Sequence, residues 1–490
     1  MTSHTDTTAS FGSLHFGAAQ LGDVRRTRRL VQAADAIVQH PGGTLPQKLH
    51  DPTPLDAFYR LANRKEVTHD AVLEPHRRRT LRLMSEADGP ILLIHDTTEL
   101  DYTSLTSLTG LGQIGNGNGR GYECHNTLAV HAPTRTVLGL ANQILARRDT
   151  IGKGESRQAR RARETRESRL WKRGSEAVGP APEGATWVDI CDRGADVFEY
   201  IAYKYKTSGH FIVRSKHDRL CTVRIDGIPC RRKLHGHARP LEPLGGRYVP
   251  VAALKGQPAR RAKVLVAAGE VELVAPKQPR GDHGPEPLPL RVVVLREVEA
   301  PEGVDPLEWI LLSDRPAGDL VEAVEIADWY GYRPIVEELH KGMKTGCGVE
   351  TLQFTTEAAI RPAIALLSVV AVFLLGLRDA ARDPATAARP ATQYVPVSYS
   401  EVLGSWRHGE VRPEWTVLEF YWALGRLGGH QNRKNGPPPG WLVLSRGWTR
   451  LQAMVEGVEA MGRCRAGAAV PEERPRAGPP PEAGGDAGVT

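Results

Sequence analysis

Two aspartates follow short apolar segments, in positions where their carboxylates could converge. Asp96 ends the segment GPILLIHD, and Asp192 ends the segment ATWVDICD. Short apolar runs of this kind predict buried strands, each with an aspartate at its carboxyl end. Carboxylate oxygens are the ligands that Mg²⁺ prefers, and two such ions about 3.5–4 Å apart stabilise both the attacking and the leaving oxygen of a phosphodiester. A third carboxylate, brought in by a helix, would complete such a site.

An aspartate after an apolar strand has a commoner explanation, which is that it caps the loop or helix that follows. Other acidic residues near the two strand ends could be chosen in their place: Glu99, Asp101, Asp189 and Asp196. The two aspartates by themselves therefore leave both interpretations open.

A third carboxylate is indicated by the segment from 330 to 344, YGYRPIVEELHKGMK, in which Tyr330, Arg333, Glu337 and Lys344 are separated by two, three and six residues. A helix would place Glu337 and Lys344 on one face, together with Lys341. Such a face is commonly a solvated Glu–Lys surface. Alternatively, Glu337 binds a metal ion, while the planar fork of Arg333 and the compact charge of Lys344 hold phosphates. Proline at 334 predicts that this helix begins there, after Tyr330 and Arg333.

This spacing resembles the signature of the insertion-sequence-four family of bacterial cut-and-paste transposases. Further segments are similar to family landmarks and occur in family order: LGDVRRTRRL, AFYRLANR, DTT, VDICDRGAD, FIVRSKH, LEWILLSD and GRLGGHQNRKNG. The resemblance extends from about residue 16 to about residue 460. It implies an α/β fold with a ribonuclease-H-like core, a mixed sheet, an all-β insertion at about 218–308, and helical N- and C-terminal domains.

For the site, the resemblance implies that Asp96, Asp192 and Glu337 are catalytic and bind two Mg²⁺, for which Mn²⁺ can substitute. The implied reactions are cleavage at the transposon end, hairpin formation, hairpin opening and strand transfer into target DNA. Trp309 would stack on a base turned out of the duplex, although a tryptophan on an apolar strand is commonly a core residue. The remaining implied contacts are with the DNA phosphates and the hairpin: Tyr330, Arg333, Lys344, Arg214 and Lys216.

The N-terminal pattern is helical from residue 16 to about 87, with Asp23 as a cap and Pro41 with two glycines as a stop. We interpret 1–87 as the domain that binds the terminal inverted repeats of the transposon. Its arginines would neutralise phosphates, which makes binding strongly dependent on salt: Arg25, Arg26, Arg28, Arg29, Arg60 and Arg64.

The remaining domains follow from the resemblance and from local composition. Residues 88–375 form the predicted catalytic domain and 376–463 a helical domain, which by resemblance dimerises on DNA. The tail at 464–490 is rich in Pro, Gly and Ala and is predicted to be disordered. The arginine-dense segment 153–176 predicts a solvated helix, and the glycines at 115–121 predict a hairpin turn, because a phosphate-binding G-K-[ST] ending is missing.

Composition narrows the class of protein further. The chain has 490 residues, 64 Lys+Arg against 57 Asp+Glu, and six scattered cysteines without a C-x-x-C pair. These features predict two or three domains, no zinc site or disulfide framework, and a reducing cytoplasm. The resemblance implies the bacterial cytoplasm and double-stranded DNA as the partner. The apolar stretch 363–377 is too short to span a bilayer comfortably and predicts a buried core helix, so no membrane partner is expected.

Two other functions remain open from the sequence. A transposase-derived repressor would bind transposon ends without cutting them, and its expected mark is the loss of a carboxylate. A ribonuclease-H-like nuclease would hydrolyse DNA without joining strands, and it would not need the Tyr–Arg–Lys set or the stacking tryptophan.

Overall fold

Helices form the N-terminal part of the chain, as the sequence predicts. The computed structural model describes residues 10–148, 154–156, 163, 165–251, 259–277, 283–412, 414–433 and 438–467. Its first helices are α1 (Phe11–Phe16), α2 (Val24–Gln39), α3 (Leu45–Leu49), α4 (Pro52–Ala62) and α5 (His69–Glu86). Asp23 caps α2 by accepting a hydrogen bond from the backbone N–H of Arg25 at 2.8 Å, and Thr68 caps α5 in the same way. The predicted cap at Asp23 is thereby confirmed.

A pair of buried histidines fixes this helical unit against the rest of the protein. The Nδ1 atoms of His15 and His76 lie 2.9 Å apart, and Nε2 of His76 accepts the backbone N–H of Leu140 at 3.0 Å. His76 therefore carries its proton on Nδ1 and donates it to His15. Burial, followed by the nearby Arg79, lowers the pKa of His76 to about 3, so the ring is neutral in the folded protein.

Acid should destabilise the protein partly through His76. The unfolded histidine binds a proton below its ordinary pKa of about 6.5. The folded one does so only near pH 3, so its contribution is fully present above about pH 6.5 and is lost as the pH falls towards 3. We expect His76→Gln to flatten the acid limb of the unfolding free energy by up to about 1.4 kcal/mol per pH unit. Urea denaturation between pH 4.5 and 7.5 measures this slope, and an unchanged slope in the variant would contradict it.

All twelve described strands belong to one sheet. They are β1 (Ile91–Asp101), β2 (Gly112–Ile114), β3 (Gly119–His131), β4 (Thr136–Ala146), β5 (Trp187–Cys191), β6 (His210–Arg214), β7 (Leu220–Ile225), β8 (Ile228–Lys233), β9 (Gly245–Val251), β10 (Arg260–Leu273), β11 (Leu288–Glu297) and β12 (Glu308–Ser313). The central order is β4-β3-β1-β5-β6-β12-β11-β10. Because β1 is antiparallel to β3 and parallel to β5, the sheet is mixed, as predicted.

The first strand is longer than the sequence indicates. Its polar half, from Asp96 to Asp101, continues to pair with β3 as far as Gly121, so β1 does not end at Asp96. The parallel partner β5 ends sooner, at Cys191. The prediction of a strand end is therefore right for Asp192 and wrong for Asp96, which lies in the middle of its strand at the point where β5 leaves it.

The insertion between Asp192 and Glu337 extends the same sheet. Strands β7 to β11 continue it beyond β12, and the helix α8 (Leu234–Ala238) interrupts them, so the segment is not purely of β-strands. The hairpin turn predicted at 115–121 does connect two paired strands, β2 and β3. Part of the predicted arginine-dense helix at 153–176, namely 153, 157–162 and 164, lies outside the described residues. In the rest of the segment a 3-10 turn spans Glu167–Arg169 and α6 spans Leu170–Val178, so the described helical structure is confined to its C-terminal part.

Helix α7 (Phe198–Lys206) lies between β5 and β6. The helices that follow the sheet in the C-terminal third are α9 (Leu320–Tyr330), α10 (Pro334–Lys341), α11 (Glu357–Ala380), α12 (Pro384–Ala387), α13 (Val397–His408), α14 (Val417–Leu427) and α15 (Trp441–Gly467). The predicted core helix, 363–377, lies within α11. Helix α11 also continues through residue 375, the predicted end of the catalytic domain. By length and composition α11 could cross a membrane, and 83% of its most apolar window is buried within the protein. The predicted disordered tail lies outside the described residues from 468 onward.

Candidate active site

Neighbouring strands bring Asp96 and Asp192 to the same point of the sheet. The last parallel pair between β1 and β5 is His95 with Cys191, so the two aspartates are the next residues along each chain segment. Asp192 then leaves the sheet, and its Oδ1 accepts the backbone N–H of Gly194 at 2.9 Å. The capping interpretation thus holds for one oxygen of Asp192, whereas its other oxygen faces across the sheet edge.

Helix α10 supplies the third carboxylate. The helix begins at Pro334, as predicted, which places Arg333 at its N-cap and Glu337 one turn later. Arg333 contacts Glu337 through Nη1, lies 3.3 Å from Oδ2 of Asp96 through Nη2, and lies 4.0 Å from Oδ2 of Asp192. One guanidinium therefore faces all three carboxylates that the sequence selects.

The site carries more negative than positive charge at its centre. Burial is the main cause that raises the pKa of Asp96 to about 6; Arg333 opposes this, and Asp192 and Glu337 reinforce it. One guanidinium faces three carboxylates and does not balance their charge when they are ionised, so the site can accept further positive charge. The donors are oxygens alone, the set that Mg²⁺ prefers over nitrogen or sulfur sites.

The three carboxylates differ in their exposure to solvent. The side chains are 12%, 29% and 43% exposed in the order Asp96, Asp192, Glu337, so the site opens towards solvent on the helix side.

Two residues that the sequence analysis did not select lie behind Asp96. Nδ1 of His340 is 3.8 Å from Oδ2 of Asp96, and its Nε2 is 3.1 Å from the amide nitrogen of Asn126. Burial, with Lys344 and Arg333 as lesser causes, lowers the pKa of His340 to about 3, so the ring is neutral. Because the Asn126 amide donates to Nε2, the imidazole proton is on Nδ1 and faces Asp96. The sequence could have indicated these two residues, because His340 lies one turn after Glu337 and Asn126 interrupts an apolar part of its strand.

The hydrogen bonds continue from Asn126 into the N-terminal helices. Oδ1 of Asn126 accepts from Nε2 of Gln143 at 2.7 Å, and Oε1 of Gln143 lies 3.0 Å from Nε2 of His69, the first residue of α5. Each of these side chains is buried. A continuous polar chain therefore links the N-terminal unit to the ring behind Asp96, and it holds that ring in one orientation.

Removing the His340 ring should slow any reaction that depends on Asp96. We expect His340→Ala to lower strand cleavage by about 10–100-fold, the usual cost of losing a partner that orients a ligand. His217→Ala is the matched control, because His217 is an exposed histidine in the loop after β6. Cleavage rates measured with both variants at saturating Mg²⁺ test this; equal rates would show that His340 does not position Asp96.

Tyr330, Trp309 and Arg214 form one packed group beside the carboxylates. Tyr330 is the last residue of α9 and is buried, and its ring centroid lies 5.0 Å from that of Trp309 at 71°. Burial raises the pKa of the Tyr330 hydroxyl, which lies beside Arg214. Trp309 is half-buried on β12, so it is neither a fully enclosed core residue nor a free platform.

The lysines selected from the sequence have other neighbours. Helix α10 ends at Lys341, and residues 342–346 form a wider π-type turn that interrupts the predicted face. Lys341 pairs with Glu338 at 3.0 Å, and Lys344 pairs with Glu350 at 3.3 Å. Glu337 and Lys341 lie one turn apart on α10, as predicted, whereas Lys344 lies beyond the end of the helix, near His340. Lys216 is exposed in the loop after β6.

The competing acidic residues have structural partners. Asp189 is buried and pairs with Lys204 at 3.0 Å, and Asp196 is buried and accepts backbone hydrogen bonds from the loop after β6. Glu99 accepts the N–H of Gly115 in the hairpin, and Asp101 bonds to the residue two positions later. None of these four side chains faces the guanidinium in the way that Asp96 and Asp192 do.

The N-terminal arginines are mainly at the surface. Five of the six are exposed: Arg25, Arg28, Arg29, Arg60 and Arg64. Arg26 is the exception, because it is half-buried, pairs with Glu66 at 2.9 Å and donates to the carbonyl of Leu21. These contacts stabilise the helical unit, and the predicted contact of Arg26 with DNA stays a prediction. Arg25 also pairs with Asp23, which caps its own helix.

Residues 9–67 match the family model described as transposase DNA-binding. The match covers α1 to α4 and all six arginines selected from the sequence. It supports a transposase as the class of protein and DNA as its partner. It ends before β1, so the evidence on the carboxylates is the geometry alone.

Neutralising two exposed arginines of this domain should weaken DNA binding without changing the fold. We expect Arg28→Ala with Arg29→Ala to lower the slope of log affinity against log salt concentration by about 2, because each phosphate contact contributes about 0.9. Fluorescence anisotropy with duplex DNA over a range of KCl concentrations measures the slope. Arg291→Ala, on the distant β11, is the control; an equal decrease in that variant would contradict a role specific to α2.

Proposed function

We propose that this chain is a cut-and-paste transposase of the insertion-sequence-four type, which binds terminal inverted repeats and uses Asp96, Asp192 and Glu337 as its catalytic carboxylates. The observation that carries the proposal is the position of Arg333, whose guanidinium faces all three side chains. The matching DNA-binding domain at 9–67 supports the same class of protein.

The strand order supports a ribonuclease-H-like core. In β4-β3-β1-β5-β6, three antiparallel neighbours are followed by two strands parallel to β1. Asp96 lies on the central strand, Asp192 follows the next strand, and Glu337 comes from a helix after the inserted strands. This is the placement that three converging carboxylates require when they are far apart in the chain.

Two Mg²⁺ ions, with Mn²⁺ as a substitute, would supply the activation of the attacking oxygen and the stabilisation of the leaving oxygen at phosphorus. The three carboxylates would hold these ions, and His340 holds Asp96 in place. Arg333 provides a planar fork that matches phosphate oxygens. Water attacks the transposon end and frees a 3′-OH, which attacks the opposite strand to form a hairpin. A second water opens the hairpin, and the 3′-OH then attacks target DNA, so each step exchanges one P–O bond for another.

The packed group beside the carboxylates suits the hairpin step. Trp309 keeps part of its ring accessible for a base turned out of the duplex, and Tyr330 supports that ring from the inner side. Arg214, Lys216 and Lys344 add positive charge for the phosphates around the turn. We propose that two chains act together on DNA through the C-terminal helices, in the bacterial cytoplasm at the nucleoid.

A plasmid excision assay tests the proposal against its alternatives. The full chain is incubated with Mg²⁺ and a plasmid carrying the DNA that flanks its reading frame on both sides. Excised ends that run as hairpins on a denaturing gel support the transposase. Simple nicks without joining would show a nuclease, and a gel shift without cleavage would show a silent repressor, so either result would overturn the proposal.

A further inference from the structure

Two histidines and a glutamate come together at the junction of the N- and C-terminal helices. His40 is the C-cap of α2, His50 is the C-cap of α3, and Glu456 lies on α15. Oε1 of Glu456 is 3.5 Å from Nδ1 of His40 and 3.3 Å from Nε2 of His50. One ligand atom from each residue lies within 4.8 Å of the other two. We propose that His40, His50 and Glu456 bind a Zn²⁺ ion that links the DNA-binding unit to the C-terminal helix.

The distances fit a tetrahedral ion. Zinc binds imidazole nitrogen at about 2.0–2.1 Å and carboxylate oxygen at about 2.0–2.2 Å, so the ligand atoms of a tetrahedral site lie about 3.4 Å apart. The two edges that Glu456 forms with the histidines already have this length. The rings of His40 and His50 are nearly perpendicular, with centroids 4.5 Å apart, which lets both nitrogens approach the same oxygen.

The Tyr399 hydroxyl does not compete with an ion for His40. It lies 3.4 Å from Nδ1 of His40 but gives its single proton to the carbonyl oxygen of Gln39. In the tautomer with its proton on Nε2, Nδ1 of His40 therefore presents its lone pair towards Oε1 of Glu456, 3.5 Å away.

Surrounding residues hold the other two ligands. The amide of Gln452, a buried side chain one turn before Glu456, donates to the same Oε1 at 3.1 Å. Such an outer partner is typical of ligating carboxylates. His50 has a φ of 52°, in the left-handed region that residues with a Cβ rarely adopt and that is enriched at functional positions. The backbone thus accepts an unusual conformation where the ring reaches Glu456.

The donor set selects zinc rather than magnesium. Two imidazoles and one carboxylate are typical ligands of zinc, whereas the oxygen-only set around Arg333 suits Mg²⁺. Three protein ligands leave the fourth position for water. The proposed ion would restrain α15 against α2 and α3, and would thereby couple the position of the C-terminal helix to the DNA-binding unit.

Zinc titration of the full chain tests this site. The protein is treated with EDTA, dialysed, and titrated with ZnCl₂ by calorimetry in excess Mg²⁺, which protects the carboxylate site. We expect one Zn²⁺ per chain, with a melting temperature that rises with the Zn²⁺ concentration. His50→Asn removes the imidazole while asparagine tolerates the same φ, and Glu456→Gln removes the charge. Each should weaken zinc binding by at least about 100-fold, the upper end of the cost of losing an outer partner.

Controls separate this site from adventitious binding and from misfolding. His217→Ala should bind zinc like the wild type, because His217 is exposed and distant, and circular dichroism checks that each variant is folded. Co²⁺ in place of Zn²⁺ should give the visible absorption of a tetrahedral complex, which His50→Asn should lose. Zinc affinity that is unchanged in both ligand variants, or no zinc binding by the wild type, would overturn the proposal.

Discussion

Replacing Glu337 by Gln should abolish strand cleavage while DNA binding and folding remain. The substitution keeps the size of the side chain and removes the charge that α10 contributes beside Arg333. Loss of a ligand should cost more than the roughly 10–100-fold that follows the loss of an outer partner, so we expect a decrease of about 10³-fold or more. Single-turnover cleavage of an end-repeat duplex measures the rate, and gel shift measures binding.

The control for this variant is Glu325→Gln. Glu325 lies on the preceding helix α9, is exposed to a similar degree and pairs with Arg315 at 3.4 Å. The Glu325→Gln variant should cleave DNA at the wild-type rate. Cleavage within tenfold of the wild type by Glu337→Gln, with unchanged melting temperature, would remove Glu337 from the catalytic set. Asp96→Asn and Asp192→Asn should behave like Glu337→Gln.

Replacing Arg333 by Ala should lower both the maximal cleavage rate and the Mg²⁺ concentration needed for half of that rate. It should also move the acid limb of the pH profile upward. The guanidinium now competes with cations for all three carboxylates, so its loss should lower the Mg²⁺ concentration needed for half-maximal rate. The maximal rate should fall by about 10²–10³-fold, because a preorganised donor beside the phosphate is lost. Arg333→Lys should restore little, because an ammonium cannot match the planar fork.

The pH profile gives an independent readout for Arg333. The pKa of Asp96 is about 6, and Arg333 is the main cause that holds it down against burial. Without Arg333 the pKa of Asp96 should rise, so the ionised form needed for activity appears only at higher pH. We expect the acid limb of the rate profile to move upward in Arg333→Ala and to stay in place in Arg291→Ala. An unmoved limb would show that Arg333 does not act on Asp96.

The sequence predicted which carboxylates converge better than it predicted their surroundings. Asp192 follows a strand of five buried residues, a pattern that periodicity recognises directly. Asp96 was selected for the same reason although its strand continues. The residues after Asp96 are mostly polar, so the hydrophobic pattern does not predict a strand there. They nevertheless continue β1, because their backbone groups pair with β3 whatever the side chain.

The contacts that long-range folding creates were not predictable from local pattern. Asn126 and His340 meet Asp96 from different parts of the chain. Arg26 differs from its exposed neighbours through its contacts with the Leu21 carbonyl and with Glu66, a residue beyond the next two helices. The π-type turn after Lys341 likewise depends on packing, since the spacing of Glu337 and Lys344 is compatible with a regular helix. Local spacing therefore predicts which side chains are available, and packing decides which of them meet.

The most direct test of the account is the number of divalent cations that the three carboxylates bind. Mn²⁺ is titrated into the complex of the full chain with an end-repeat duplex, and free Mn²⁺ is measured by electron paramagnetic resonance. Every sample is free of Zn²⁺ and carries His50→Asn, so that the proposed histidine site does not add to the count. We expect two Mn²⁺ per chain, displaced by Mg²⁺, and loss of at least one of them in Asp96→Asn, Asp192→Asn and Glu337→Gln. Equal Mn²⁺ binding by the wild type and all three variants would contradict the central claim.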